Sequence, residues 1–130
     1  MPRIRIRIQF DGDHSLGPGK AQLLEAVAEH GSISAAARSM GMAYRHAWEL
    51  IDDLNQCFRK PVVATVAGGR AGGGALLTPF GAELVRRFRD MERGAARAIA
   101  RDLAALDREL ALAEVGPGPR ARRKGPPRRR

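Results

Sequence analysis

SISAAARSMGMAYRHAWELIDDLNQCF, residues 32–58, decides the fold. It has the rhythm of two helices joined by a tight turn. Ser34 can cap a short helix that runs through Met40. Gly41 then falls where a helix-turn-helix needs a residue tolerant of positive φ. Ala37, four residues earlier, is small enough for the two helices to cross closely. A second helix is predicted over about 43–58, with Ala47, Trp48, Ile51, Leu54 and Phe58 on its buried stripe. Arg45, His46, Glu49, Asp52, Asp53 and Gln56 then face away from the core, and Trp48 is expected inside it.

Upstream, RIRIRIQF (3–10) alternates Arg with Ile, the period of a strand with one buried face. DGDHSLGPG breaks regular structure. From Lys20 to His30, Leu23, Leu24, Val27 and Ala28 form one helical stripe, and Gly31 is a C-terminal cap. Downstream, PVVATVAGGRAGGGALLTP reads as a hairpin, with VVATV and ALLT as strands and glycines at the tip. Thr78-Pro79 then opens a helix, with Thr at the N-cap and Pro at the first helical position. That helix is expected to reach about Val115. Its apolar stripe begins with Leu84, Phe88 and Met91 and continues through Ile99, Leu103, Leu106 and Leu110. So long a stripe exceeds what one small domain can bury, so Phe88, Met91, Ile99, Leu103, Leu106 and Leu110 are candidates for pairing with a second copy.

The order is strand, helix, helix-turn-helix, two-stranded wing, long helix. The expected fold is mainly α with a small β component, a winged helix-turn-helix over residues 1–115. Residues 116–130, GPGPRARRKGPPRRR, cannot build a core and are expected to be a disordered basic tail.

The 130 residues suffice for one domain. Seven of the 23 basic side chains lie in the tail, so the other 16 face 14 acidic ones and the body carries only +2 of the net +9. A basic face must therefore come from placement. A single cysteine, Cys57, rules out an internal disulfide. MPRIRIRIQF lacks the apolar run of a signal peptide, and nothing approaches a membrane span. The expected location is cytoplasmic, on the nucleoid.

AGGRAGGGALLTPFG (67–81) packs six glycines into fifteen positions and poses the choice between enzyme and binding module. A phosphate-cradling loop needs a lysine and a hydroxyl opening the next helix, and here Ala75-Leu76-Leu77 follow instead. GPGK (17–20) fails too, with His14 where the first glycine belongs and Ala21 after the lysine. No βαβ unit surrounds either stretch. The alternatives left are a wing that approaches a DNA backbone, with Gly69, Gly72 and Gly73 freeing amides and Arg70 supplying charge, or a turn with no contacts. His14 and His30 have no metal-ligand spacing with Cys57 or a carboxylate cluster. No nucleophile or paired-carboxylate arrangement stands out, so neither a cofactor nor an enzyme activity is expected.

GSISAAARSMGMAYRHAWELIDDLN (31–55) and GGRAGGGALLTPFG (68–81) resemble the N-terminal DNA-binding domain of the ModE-type molybdate-responsive transcription regulators. Tyr44-x-x-Ala47-Trp48, Asp53-Leu54-Asn55 and the glycine cluster ahead of Leu-Thr carry the likeness over roughly residues 4–93. LysR-type regulators share the more general GSISAAA…LTP pattern. The resemblance implies a dimeric winged-helix regulator of bacterial type whose second motif helix enters the major groove. It departs from that family in two ways. The chain ends in a basic tail where the family has oxyanion-binding domains, so molybdate sensing does not transfer and effector sensing would fall to a separate protein. Ala43 stands where the family has serine, weakening the helix cap by about 1 kcal/mol.

In helix-turn-helix proteins the first turns of the second helix meet base edges. Tyr44, Arg45, His46 and Glu49 occupy them here. Arg45 is the candidate for a bidentate guanine contact. Glu49 would accept from cytosine or pair with an arginine, and Tyr44 would pack its ring or reach a phosphate. Ser32, Ser34 and Lys20 are candidate phosphate contacts, the serines alternatively being caps only. The tail adds sequence-independent affinity for polyanions or merely solubility. The leading expectation is a sequence-specific, homodimeric regulator of double-stranded DNA. A weakly specific architectural protein and a dimeric protein-interaction adaptor are the alternatives.

Overall fold

The computed structural model describes residues 2–67 and 73–111. The wing-tip candidates Gly69, Arg70 and Gly72 lie outside them, as does the basic tail.

β1 (Ile8–Gln9) pairs antiparallel with β2 (Ser15–Leu16), Ile8 opposite Leu16 and Gln9 opposite Ser15. The period-two reading of residues 3–10 holds in burial, since Ile4, Ile6, Ile8 and Phe10 are half-buried while the arginines between them are exposed. Only two of those residues join a ladder, however, and β2 lies in the stretch expected to break regular structure. Two-residue strands leave no periodic signal; burial of Leu16 fixes this one.

α1 (Pro18–His30) starts two residues before the expected Lys20, because Pro18 suits the first helical position. Ala21, Leu23, Leu24, Ala26 and Val27 are buried. Ala28, expected in the stripe, is exposed on the last turn. Gly31 closes the helix at φ +76°, its N–H donating to the Val27 carbonyl at 2.9 Å.

α2 (Ile33–Ser39) and α3 (Tyr44–Cys57) form the helix-turn-helix. The cap of α2 is Ser32 and not Ser34: its Oγ accepts from the Ala35 N–H at 3.0 Å. Ser34 already lies inside the helix, where its hydroxyl cannot reach the free amides of the first turn. Gly41 turns the chain at φ +67°, and the Met42 N–H returns to the Ala37 carbonyl at 2.9 Å. Ala37 is buried at the crossing. α3 begins without a side-chain cap, as expected from Ala43.

β3 (Val63–Val66) and β4 (Gly74–Leu77) make the wing, in register Val63 with Leu77 through Val66 with Gly74. The Ala75 N–H donates to the Gly31 carbonyl at 2.9 Å, seating the wing on the corner between α1 and α2. A Cβ on Gly74 would stand 2.9 Å from that same oxygen, so the approach needs glycine.

α4 (Pro79–Asp107) opens as the sequence predicts: Thr78 Oγ1 accepts from the Gly81 N–H at 2.9 Å, with Pro79 at the first position. It ends at Asp107, short of the expected Val115, and Leu110 lies past its end. Phe88 was expected at an interface between copies. It is instead fully buried in the core of one chain with Leu84, because the first turns of α4 pack on α1. Arg89 clamps that packing, reaching Glu25 of α1 at 2.7 Å and Glu92 at 2.8 Å. These carboxylates hold the guanidinium above its already high ordinary pKa. Phe10, Phe58 and Phe80 stack edge to face, with ring centroids 5.5 and 5.4 Å apart, joining the N-terminal segment, the end of α3 and the start of α4. Among the described residues no helix is long and apolar enough to cross a membrane.

Candidate nucleic-acid interface

α3 buries Ala47, Ile51 and Leu54. That spacing turns Arg45, His46 and Glu49 outward and Trp48 to the flank. Tyr44 is in phase with the buried stripe but stands at the helix start, and all five are exposed. The Arg45 side chain is 86% exposed, with Nε 3.6 Å from Glu49 one turn later. An exposed i,i+4 pair of this kind is weak enough to open for a ligand.

Trp48 corrects the sequence reading. Expected in the core, it is 46% exposed beside Tyr44 at 54%. Ala47, Ile51 and Leu54 complete the contact of α3 with the interior, and the indole stands on the flank of that stripe. The spacing Tyr44-x-x-x-Trp48, one helical turn, was the available signal; the apolarity of tryptophan masked it.

A cleft of about 570 Å³ runs between the start of α2 and the wing. Ser32, Ser34 and Arg38 line one wall, Thr65, Val66, Gly73 and Gly74 the other, and Tyr44 closes one end. The structure thus brings Ser32, Ser34, Tyr44 and Gly73 together. It adds Arg38, which sequence reasoning passed over although it lies one turn from Ser34; its Nη1 is 3.5 Å from the Ser34 hydroxyl.

Lys20 does not join this face. Its ammonium donates to Asp53 Oδ2 and to the Ser15 carbonyl, both at 2.8 Å, and is largely buried. Asp53, expected to face away from the core, is half-buried for the same reason. Its other oxygen shares a hydrogen bond with His14 Nδ1 at 2.9 Å. The Lys20 bond, more than the His14 bond, holds the Asp53 carboxyl below its ordinary pKa against the opposing effect of burial. Burial, with the charge of Asp53, pushes the Cys57 thiol up. The cluster fixes α3 to α1 and to the β1–β2 hairpin. Among the described residues no group of three His, Cys, Asp or Glu side chains could hold a metal ion.

A family model described as "Bacterial regulatory helix-turn-helix protein, lysR family" matches residues 19–82, from α1 through the wing to the first turn of α4. The chain is 43% identical over 82 residues to the molybdenum-pterin-binding protein MopB of Rhodobacter capsulatus, covering 63% of this chain and 30% of that one. It is 39% identical over 88 residues to the molybdenum transport protein ModE of Azotobacter vinelandii, covering 68% and 33%. With the DNA-binding transcriptional dual regulator ModE of Escherichia coli (strain K12) it shares 38% over 71 residues, 55% and 27% of the two chains.

Residues 19–82 are a ModE-like helix-turn-helix domain.

The chain spans about a third of the length of the curated relatives it matches. In the ModE-like domain, the segment Asp53-Leu54-Asn55 that carried part of the resemblance has a structural explanation. Asp53 holds α1, Leu54 is buried, and Asn55 holds the wing: Oδ1 accepts from the Val62 N–H at 2.7 Å and Nδ2 donates to the Val63 carbonyl at 3.3 Å.

Proposed function

We propose that this protein is a sequence-specific DNA-binding transcription regulator acting as a homodimer. α3 lies in the major groove, and the wing reaches the adjacent backbone. The observation that carries the reading is the exposed face of α3, where Arg45, His46 and Glu49 stand exposed on the first two turns beside a cleft walled by Ser32, Ser34 and Arg38. Side chains of these types at these positions suit base edges and phosphates respectively. The wing, which walls that cleft, would set its register, and α4 would pair it with a second copy. No enzyme activity is part of this reading, the relatives bearing the names of a transcriptional regulator, a molybdenum-pterin-binding protein and a molybdenum transport protein.

The test is retention of fragmented DNA from the source genome by the full chain at about physiological salt, where non-specific binding is weak. Enrichment of a few fragments sharing an inverted repeat, lost with Arg45→Glu, is the expected result. Uniform retention, unchanged by Arg45→Glu and abolished by high salt, would replace it with an architectural role.

A further inference from the structure

We propose that Tyr44 and Trp48 form an apolar reader of thymine, taking up its C5-methyl group at a base step beside the one Arg45 meets. The inference rests on the reading of α3 as the helix that enters the major groove.

Tyr44 and Trp48 are neighbours one helical turn apart. With Arg45 they line a shallow depression of about 420 Å³. Neither ring is needed to complete the core, since Ala47, Ile51 and Leu54 already fill the inward face of α3. Two large rings are thus left in water side by side, on the part of the helix that meets base edges in helix-turn-helix proteins. Among the groups that base pairs present in the major groove, the one hydrocarbon is the thymine methyl. The third wall selects the same occupant. The Arg45 guanidinium on the rim suits guanine acceptors or phosphate and opposes an apolar protein surface closing over the pair. An indole flank and a phenol edge with a cation on one side fit a methyl group within an anionic groove.

The experiment begins with the full chain selecting duplexes from a random-sequence library. A consensus duplex is then synthesised with single thymines replaced by deoxyuridine, which removes the methyl and leaves every hydrogen-bonding group. At one position in each half-site, the wild-type protein should lose affinity about fourfold, the worth of one buried methyl. The same replacement should leave Trp48→Ala unaffected, because its reader is already gone. Trp48 is the single tryptophan of the chain, so its emission reports directly and needs no variant. It should shift on binding the thymine duplex, and shift less on the duplex lacking that methyl. A consensus duplex bound equally with and without each methyl would overturn this inference while leaving the DNA-binding reading intact. Loss of self-association in Trp48→Ala, with the methyl effect absent, would assign the rings to a second copy instead. A selection that yields no consensus would overturn both readings together.

Discussion

Asn55 on α3 accepts the N–H of Val62 at 2.7 Å, so the helix that presents the candidate interface also anchors the strand that leads into the wing. The same Oδ1 lies 3.3 Å from the Val63 N–H, and Nδ2 donates to the Val63 carbonyl. Both valines are buried. Asn55→Ala would strand buried backbone groups, at a cost of about 1–3 kcal/mol. Urea denaturation should show that loss. Asn55→Asp, which keeps the acceptor and loses the donor, should fall between Ala and wild type. Equal stability of all three would mean that the wing is held by its strand pairing alone.

Lys20 and Asp53 give a pH-dependent contribution whose sign is fixed. The folded-state pKa of Asp53 is lowered, first by the Lys20 hydrogen bond, from its ordinary value of 3.8. Below that value the unfolded chain takes up the proton more readily than the folded one. The stabilisation is therefore fully present above about pH 4 and is lost as pH falls through the folded-state value. The stability gap between wild type and Asp53→Asn should shrink as pH falls below 3.8. A gap that fails to shrink below pH 3.8 would show that the pairing does not favour the carboxylate.

How legible all this was follows from which signals survive in one sequence. Gly31, Gly41 and Thr78-Pro79 announce themselves because left-handed backbone and helix caps demand particular residue types, and the structure uses each as read. The misreadings share another cause. Trp48 and Phe88 are both apolar on helical stripes, and periodicity cannot say whether a stripe meets the chain's own core or open water. The Lys20–Asp53–His14 cluster spans residues 39 positions apart in sequence, and nothing local foretells that contact. Ser32 and Ser34 differ only by two positions at a helix start, where boundaries are least certain from sequence.

Gly81 sits where α4 passes the wing strand, and a Cβ there would lie 2.1 Å from the Val62 carbonyl oxygen. The obstacle is backbone, held in turn by the Thr78 N–H at 3.0 Å, so it cannot step aside without moving the wing. Gly81→Ala should therefore destabilise by about 1–3 kcal/mol despite the better helix propensity of alanine. Thermal melting decides it. At Gly19, where the added Cβ meets nothing, the same substitution is the control and should not destabilise.

Arg45 separates folding from recognition. Its only described ion pair is the exposed one with Glu49, so Arg45→Ala should leave thermal stability within about 0.5 kcal/mol of wild type. Binding to a selected duplex should weaken by about 1–3 kcal/mol, with relaxed preference at a single base pair. Uniform weakening across all sequences, with a shallower salt slope, would instead make it a phosphate contact.

The second half of α4 carries the prediction for self-association. At 1.5 Å per residue the 29-residue helix is roughly 43 Å long, yet its buried residues, Gly81, Leu84 and Phe88, all lie in its first three turns. Beyond them Met91 and Leu106 are exposed, while Ile99 and Leu103 are half-buried. Ile99, Leu103 and Leu106 recur at the helical period, so they share one face that a single chain covers only in part. If two copies pair there, sedimentation of the wild type should show a dimer whose population falls on dilution. Leu103→Asp places a charge at the centre of that face and should give a monomer. It should leave the melting of the helix-turn-helix in that monomer intact, because Leu103 lies outside the core cluster. A dimer unaffected by Leu103→Asp would move the interface elsewhere, with Met91 on the preceding turns the next position to change.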